Sequence, residues 1–484
     1  WLAEFAQAIT EHIKKVKPGI TVTHQFSPVL AGWLLGQSAG IAAASDYPSG
    51  DFYGGKNQHR LGVKVFNAFR HNDMPLEFMT SRCVDLWDHT SMKSEEELFC
   101  SAVTTLAHGG AYFFIDAINP DGTLEPSVYE RLGKVSALAK PFTDIIKKLR
   151  PEIQAEVGLY FSMESNDDAR LNGTPLIEFS PKANNMEGER FVPVIKEILG
   201  TAVVLGECNI PYKIVTPESK LDGLSTIIVN NAKYMSVDEV QRLRRFVYGG
   251  GTLIVTGRTS FCDMLGNSKG DFALADVLGV SYAGRKTPRI SYLHDENGHI
   301  VSTEPAPLVH ATAAKSLAKV SLPYFDPDDT EHYASIHSNP PGDVTEYDAL
   351  TINNFGSGRC IYLYSSLLGI QHDVHQKFGK KLFGEYIRQD VIDSDAPGCV
   401  AITLLSSKVD DKKLLLCFVN WQEELPNIPV HNISATITLP GNAVCSNCCS
   451  VSGTNEVDWR IDGGRLTVKI PRLETAEFIE ITLK

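Results

Sequence analysis

Acidic, aromatic and histidine side chains follow short apolar runs in the first part of the chain. His24 follows the run from Ile20 to Thr23, and Asp46 follows the run from Ile41 to Ala44. Further residues of these types stand at Asp51, Tyr53, Trp87, Asp88 and Asp116. Carboxylates and imidazoles bind the hydroxyl groups of a sugar, and an aromatic ring packs on its apolar face. These residue types therefore indicate a carbohydrate site.

The same side chains are suited to cleaving a glycosidic bond. Hydrolysis of such a bond uses two carboxyl groups, about 5 Å apart when the configuration is retained and farther apart when it is inverted. We assign catalysis to Asp46 and Asp116, either of which can be the proton donor. The residues assigned to substrate binding are His24, Asp51, Tyr53, Trp87 and Asp88.

Each assignment has a structural alternative. Asp116 can cap the Asn-Pro-Asp-Gly turn that follows it, and either Asp46 or Asp51 can serve the turn between them. Trp87 can be a core or wall residue, and His24 can be a hydrogen-bonded residue at a strand end. Spacing in the sequence leaves these alternatives open.

The stretch from Pro75 to Gly122 predicts the elements that position these side chains. Its apolar run 76–82 predicts a strand, and a capping box that begins at Ser94 predicts the start of a helix. The continuous apolar run 111–115 predicts a strand buried on both faces, which leads into Asp116. Such a succession is typical of a parallel β/α barrel, where the carboxyl ends of the strands carry the chemistry.

Four predicted strands, including the runs that begin at Ile20 and Ile41, make half of an eight-stranded barrel. A half barrel leaves an unpaired sheet edge, so we expect the first half to lie upstream of Trp1. We place this first domain at residues 1–152.

Two further domains are predicted. Over residues 153–395, alternating strands and helices predict a doubly wound α/β domain. This domain has neither a phosphate loop nor a nucleophile elbow, so its expected use is self-association. Over residues 396–484, short strands without a helical period predict a small antiparallel β-sandwich.

The composition excludes several kinds of partner. A net charge of −13 without a basic stripe argues against nucleic acid, and no apolar run is long enough to span a membrane. The chain has 10 cysteines, and their one cluster, at Cys445, Cys448 and Cys449, has no second pair of ligands nearby. We therefore expect no metal, no cofactor, and reduced thiols in a cytoplasmic protein.

The chain resembles glycoside hydrolases in which a β/α barrel is followed by a flavodoxin-like trimerisation domain and a small β domain. Family 42 β-galactosidases have this arrangement, and the α-L-fucosidases of family 151 are the closer resemblance. The motifs that carry it are SDYPSGDFYGG at 45–55, Trp87-Asp88, LAHGGAYFFIDAINPDGTLE at 106–125, LSTIIVNNAKYMS at 224–236 and VYGGGTLIVTG at 247–257.

The resemblance implies an α/β fold with three parts: the C-terminal half of a (β/α)8 barrel, a flavodoxin-like doubly wound domain and a β-sandwich. It implies a retaining exo-acting α-L-fucosidase-like enzyme that acts on a glycoside or oligosaccharide and assembles as a homotrimer through the middle domain. Two alternatives stay open. One is a β-galactosidase-like glycosidase, and the other is an inactive carbohydrate-binding barrel with an assembly domain.

The likeness to galactosidases breaks at one position. Family 42 enzymes carry a glutamate nucleophile at the end of the seventh barrel strand, where this chain has Thr80 and Ser81. The related fucosidases use an aspartate after the fourth strand, which in this chain would precede Trp1. The resemblance therefore implies that the nucleophile lies upstream and that this sequence carries the second half of the sugar pocket.

Overall fold

A computed structural model describes the chain except for residues 28, 31–35, 53, 72–73, 86–87, 167–192, 328, 330, 333–338, 442 and 454. Within the described residues, no helix combines the length and the apolar character needed to cross a lipid bilayer.

The helices of the described chain are α1 (Leu2–Val16), α2 (Ala39–Ala43), α3 (Lys56–Ala68), α4 (Glu95–Leu106), α5 (Pro126–Leu149), α6 (Pro193–Glu207), α7 (Val237–Tyr248), α8 (Ala275–Leu278) and α9 (Asp373–Tyr386).

The strands are β1 (Ser49–Phe52), β2 (Glu77–Ser81), β3 (Cys83–Asp85), β4 (Asp88–Met92), β5 (Ala111–Ile115), β6 (Glu152–Gln154), β7 (Val157–Tyr160), β8 (Tyr212–Val215), β9 (Thr226–Val229), β10 (Thr252–Thr256), β11 (Val280–Lys286), β12 (Ser291–Asp295), β13 (Gly298–Ser302), β14 (Pro307–Ala311), β15 (Lys315–Pro323), β16 (Pro341–Phe355), β17 (Gly358–Leu363), β18 (Ile392–Ser394), β19 (Val400–Ser406), β20 (Lys413–Asn420), β21 (Val430–Thr438), β22 (Cys445–Ser450), β23 (Asp458–Asp462), β24 (Arg465–Leu473) and β25 (Ala476–Leu483).

The N-terminal region is built on three parallel strands in the order β1-β2-β5. Gln25 adds a single parallel bridge to Ser49 at the β1 edge. Helix α3 connects β1 to β2, and α4 precedes β5, so the strands follow one another in chain order as they do in a β/α barrel. Among the residues that the structure describes, this sheet is open.

The second predicted strand is wrong. Residues 41–43 belong to α2, and Ala44 caps the end of this helix. The strand that joins the sheet is β1, which begins at Ser49, inside the loop predicted at 46–55. The run Ile41-Ala-Ala-Ala is rich in alanine, which favours helix and is depleted in strands. Strand β1 has the sequence Ser-Gly-Asp-Phe and no apolar alternation, so its pairing with β2 defines it.

Helix α1 has apolar residues along one face, but this face is partly exposed among the described residues. Leu2 is 49% exposed, Phe5 is 64% exposed and Ile9 is 38% exposed, whereas Ala6 is buried. The amphipathic pattern therefore predicts the helix correctly and leaves open what covers it.

The middle region is a mixed sheet in the order β13-β12-β15-β16-β17-β10-β9-β7-β8. Its five parallel strands, β7, β8, β9, β10 and β17, stand in the order 2-1-3-4-5 when they are numbered along the chain, an order typical of doubly wound sheets. Helix α7 begins with a capping box, since Ser236 and Glu239 exchange hydrogen bonds. The antiparallel strands β12, β13, β15 and β16 of this sheet are not predicted by the sequence pattern.

The C-terminal region consists of two antiparallel sheets around one apolar core. One has the order β18-β21-β24-β23, and the other has the order β22-β25-β20-β19-β6. Strand β6 follows the N-terminal region directly in the chain but pairs with β19, so the last strand before the middle region belongs to a C-terminal sheet.

The N-terminal helices pack against both other regions. Leu61 and Phe66 of α3 share one buried cluster with Leu159 of β7 and Ile195 of α6. Helices α4 and α5 form another cluster with β20, in which Phe142 contacts Phe478 at a ring-centroid distance of 4.6 Å. The three regions are therefore held together by shared apolar cores.

Candidate active site

Two of the side chains at the carboxyl end of the parallel sheet form an ion pair. Ser81 and Ile115 are the last paired residues of β2 and β5, so Arg82 and Asp116 leave the sheet side by side. Arg82 Nε donates to Asp116 Oδ1 at 2.8 Å, and the two side chains are 5% and 9% exposed. The prediction that Asp116 lies at the carboxyl end of a parallel strand is confirmed.

The second oxygen of Asp116 is available to a ligand. Oδ2 is buried and accepts no hydrogen bond of normal geometry from the described residues. Tyr129 of α5 lies near the carboxylate. Burial, the charge of Asp116 and a hydrogen bond to Asp116 raise the pKa of that tyrosine. A buried acceptor without a donor is costly in a folded protein, so a hydroxyl group of a ligand would complete this site.

Asp116 is held in its ionised form. Burial acts to raise its pKa, but the hydrogen bond from Arg82, a hydrogen bond from the backbone of Ala117 and the charge of Arg82 outweigh burial, so the pKa lies below the usual value. A proton donor needs a raised pKa at working pH. The geometry therefore fits a carboxylate that accepts hydrogen bonds better than it fits the proton donor considered for this residue.

Asp51 lies on the sheet face that is turned away from the helices. Residues paired across parallel strands project to the same face, and Asp51 pairs with Met79, which pairs with Phe113. The neighbouring residue Phe52 projects to the other face and packs on His59 of α3. In a β/α barrel the face away from the helices is the interior, so Asp51 is placed toward the same opening as Asp116.

Asp46 does not lie at this end of the sheet. It precedes Ser49, the first residue of β1, whereas Asp116 follows Ile115, the last residue of β5. Ser49 is level with Ala111, so at about 3.3 Å per residue Asp116 lies about 16 Å along the strands from the level of Ser49, and Asp46 precedes that level. The prediction of one pocket holding both aspartates is therefore wrong, because the strand assumed to precede Asp46 is a helix.

Asp46 instead accepts hydrogen bonds from α1 and from the segment that follows this helix. Its Oδ2 accepts from Lys14 Nζ at 2.6 Å and from the backbone N–H of Val22 at 2.6 Å. The hydrogen bond from Lys14 is the largest influence that lowers the pKa of Asp46. These contacts are those of a carboxylate that stabilises the amino-terminal end of the sheet.

His24 also lies at the amino-terminal end. It precedes Gln25, which bridges to the first residue of β1, and its Nε2 lies 2.7 Å from the Thr10 hydroxyl. Its backbone N–H donates to the Ser45 hydroxyl. The prediction that His24 stands beside Asp116 is therefore wrong, because the strand register places the two residues at opposite ends.

Asp88 lies in a hairpin that follows Arg82. Its Oδ1 accepts hydrogen bonds from the backbone N–H groups of Thr90 and Ser91 and from the Thr90 hydroxyl. Hydrogen bonds from the side chains of Ser91 and Thr90, and then from their backbones, lower the pKa of Asp88. This pattern is typical of an aspartate that stabilises a turn. The predicted binding residues Tyr53 and Trp87 lie outside the described residues.

Arg82 and Tyr129 complete the site, and neither is among the residues assigned to catalysis or substrate binding from the sequence. Arg82 follows β2 directly, so a charged residue at a strand end was a usable signal. Tyr129 comes from α5, and no local pattern indicates that it reaches Asp116. Glu77, at the start of β2, accepts a hydrogen bond from the Ser49 hydroxyl at 2.8 Å.

Comparisons with known proteins place this site in context. Residues 204–392 match the family model of the beta-galactosidase trimerisation domain. A search of curated protein sequences gives no match.

Solved structures resemble the whole chain. An alpha-L-fucosidase isoenzyme 2 from Paenibacillus thiaminolyticus matches with a TM-score of 0.76 at 16% identity, covering 100% of this chain and 71% of that protein. A beta-galactosidase from Bacillus circulans sp. alkalophilus matches with a TM-score of 0.67 at 16% identity, covering 99% of this chain and 66% of that protein. A beta-galactosidase from the haloarchaeon Halorubrum lacusprofundi matches with a TM-score of 0.65 at 14% identity, covering 99% of this chain and 66% of that protein.

The chain thus spans about two thirds of the length of these galactosidases and somewhat more of the fucosidase. At such identities the likeness shows an α/β fold similar to that of glycoside hydrolase barrel enzymes. The chain fits a glycoside hydrolase that carries a beta-galactosidase trimerisation domain.

Proposed function

We propose that this chain is part of a glycosidase of the α-L-fucosidase type, acting by retention at the end of a glycan. The observation that carries the proposal is the Arg82 and Asp116 pair at the carboxyl ends of adjacent parallel strands, with a buried acceptor oxygen left over. A sugar hydroxyl donates to Asp116 Oδ2, while Arg82 fixes the carboxylate. Asp51 faces the same opening and is a second acceptor.

The residues at the carboxyl end of β2 favour the fucosidase type over the galactosidase type. That strand ends in Thr80 and Ser81 and is followed by Arg82, so it supplies no carboxylate there. The match of residues 204–392 to a galactosidase domain supports the alternative, a β-galactosidase-like enzyme. A barrel that binds carbohydrate without cleaving it is the remaining alternative.

Hydrolysis of matched aryl glycosides tests the proposal. The complete protein should cleave an aryl α-L-fucoside faster than the corresponding aryl β-galactoside. Preference for the galactoside would support the second candidate, and binding of fucose without cleavage of either substrate would support the third. Absence of both binding and cleavage contradicts a carbohydrate function.

Two substitutions test the site. Asp116→Asn should lower kcat/KM by about 10- to 100-fold, since a hydrogen bond to a charged group contributes about 1.5–3 kcal/mol. The loss should be similar for activated and poor leaving groups, because Asp116 is not the proton donor. Asp46→Asn is the matched control and should change kcat/KM less than about twofold. A loss confined to poor leaving groups in either variant would identify that aspartate as the proton donor.

We also propose that the middle region is flavodoxin-like and assembles the protein as a trimer. The 2-1-3-4-5 strand order supports the first part, and the trimerisation-domain match supports the second. All 10 cysteines are free thiols. The cytoplasmic location stays a prediction.

A further inference from the structure

A small cavity lies where the N-terminal, middle and C-terminal regions meet. It has a volume of about 210 Å³ and is bordered by α3, by α6 and the start of β8, and by the start of β19. We call it the junction cavity. Its polar lining includes Lys56, Asn57, Arg60, Lys64, His108 and Glu207.

Two cations of α3 stand in the wall of the junction cavity: Lys64 is buried, and Arg60 is half-buried with its Nε shielded from solvent. Arg60 and Lys64 are one helical turn apart and therefore lie on the same helix face. Arg60 Nη2 donates to the backbone oxygen of Cys399 at 3.0 Å, and Lys64 Nζ donates to that of Tyr212 at 3.0 Å. Each cation thus links α3 to a different region of the molecule.

These bonds use few of the available donors. A guanidinium has five N–H donors and an ammonium has three. Arg60 Nε is buried and has no hydrogen-bond partner among the described residues. The Lys64 ammonium donates one hydrogen bond among the described residues, to the backbone oxygen of Tyr212, and it lies 4.4 Å from the Tyr212 ring centroid.

The positive charge of this pair is not balanced by a described carboxylate. Glu207 lines the junction cavity, but its Oε2 lies 2.9 Å from Lys380 Nζ. Burial lowers the pKa of Arg60, and neighbouring tyrosine and cysteine groups are the only ones that raise it among the described residues. Burial and then the charge of Arg60 lower the pKa of Lys64 to about 7. A buried cation beside a half-buried one is costly unless an anion compensates their charge.

We propose that the junction cavity binds one small oxyanion of the phosphate class between Arg60 and Lys64. The guanidinium offers the planar set of donors that suits tetrahedral oxyanions, and the ammonium adds a point charge. The volume is below the roughly 300–1,000 Å³ of sites for drug-sized molecules, so a nucleotide or an oligosaccharide does not fit. The anion bridges three regions and stabilises their packing, independently of the sugar site.

Binding of inorganic phosphate to the complete protein tests this proposal. Equilibrium dialysis against potassium phosphate, with potassium chloride holding the ionic strength constant, should give one bound phosphate per chain at a free concentration of about 1 mM. The thermal unfolding midpoint should rise with phosphate and not with chloride, because a ligand of the native state stabilises it.

Variants assign the site. Arg60→Gln and Lys64→Met should each weaken phosphate binding at least about tenfold, whereas Lys64→Arg should retain it. Arg245→Gln is the control, because this exposed arginine lies in a separate basic groove with Arg359 and Arg388. Arg245→Gln should change the affinity for phosphate by less than about twofold.

Absence of phosphate binding to the unsubstituted protein overturns the proposal, whatever the variants do. Binding that survives Lys64→Met, or that disappears with Arg245→Gln, overturns it as well, because the anion would then lie elsewhere. If Arg60→Gln does not fold, the comparison between Lys64→Met and Lys64→Arg still decides.

Discussion

Arg82 and Asp116 meet because strands β2 and β5 are paired in register and end together. Both side chains are almost completely buried, so the pair is shielded from the solvent that weakens surface pairs. Removing one partner leaves the other buried and unpaired. At the scale of single residues, this pair is therefore expected to matter for stability as well as for substrate binding.

Arg82→Met should destabilise the protein by about 3 kcal/mol, since a buried carboxylate is left without its cation. The double variant Arg82→Met with Asp116→Asn should recover part of that loss. Lys140→Met removes an exposed pair with Asp144 and should cost less than about 0.5 kcal/mol. Urea unfolding of all variants measures these differences, and equal losses at Arg82 and Lys140 would contradict the argument.

Lys64 makes stability depend on pH. Its pKa is about 7 in the folded protein against 10.5 for an ordinary lysine. Between these values the unfolded chain binds a proton that the folded chain does not, so stability rises with pH. Below pH 7 the unfavourable contribution of Lys64 is present in full. The groups that face Lys64 are Arg60, His108 and Tyr212. Burial lowers the pKa of His108 and raises that of Tyr212, in both cases away from this window, and burial lowers the pKa of Arg60.

The difference in unfolding free energy between the natural protein and Lys64→Met isolates this effect. In phosphate-free buffer, the unfolding free energy of the natural protein should rise relative to that of Lys64→Met by up to about 1.4 kcal/mol per pH unit between pH 7 and pH 10. Saturating phosphate should flatten the dependence, because an anion keeps Lys64 charged. A pH-independent difference would show that Lys64 is not desolvated.

At the scale of elements, helix α6 is positioned by a glycine. A Cβ added at Gly200 would lie 1.9 Å from the backbone oxygen of Leu368, so only a residue without a side chain allows α6 to pack on the turn at 367–369. This contact holds the helix against one face of the doubly wound sheet. Local helix propensity would favour alanine at this position, and tertiary packing excludes it.

Gly200→Ala should destabilise the protein by about 1–3 kcal/mol through overpacking. Gly384→Ala is the matched control in α9, where an added Cβ meets nothing within 4 Å. It should stabilise the protein by about 0.5–1 kcal/mol, because alanine is the better helix former. Opposite signs in thermal unfolding support the packing argument, and a neutral Gly200→Ala would refute it.

At the scale of the whole molecule, the three regions share cores instead of being joined by linkers alone. Helix α3 packs with the middle region and α4 and α5 with the C-terminal region, while β6 extends a C-terminal sheet. A change in one region should therefore be felt in the others. Residues 204–392 are matched to a domain whose described role is trimerisation.

The complete protein is expected to be a trimer. Light scattering at micromolar concentration should report three times the mass of one chain, independent of the sugar substrate. Arg82→Met serves as a control, since it alters the sugar site without touching residues 204–392. A monomer at that concentration would contradict the assembly role proposed for the middle region.

The sequence alone determined the elements whose signals are local. The capping box at Ser236 and the apolar period of α7 predict a helix that forms at 237–248, and β9 and β10 follow as the apolar runs indicate. It also predicted correctly that Asp116 ends a parallel strand. These features depend on neighbours within a few residues, which a single chain displays directly.

Only the tertiary structure decided where the chemistry lies. The run 41–44 is short and apolar, so its period suits helix or strand equally, and that one ambiguity moved Asp46 to the wrong end of the sheet. The burial of Lys64 and the partial burial of Arg60 are likewise invisible in sequence, because charged residues are ordinarily exposed. Register and burial arise from contacts between residues far apart in the chain, and local patterns do not encode them.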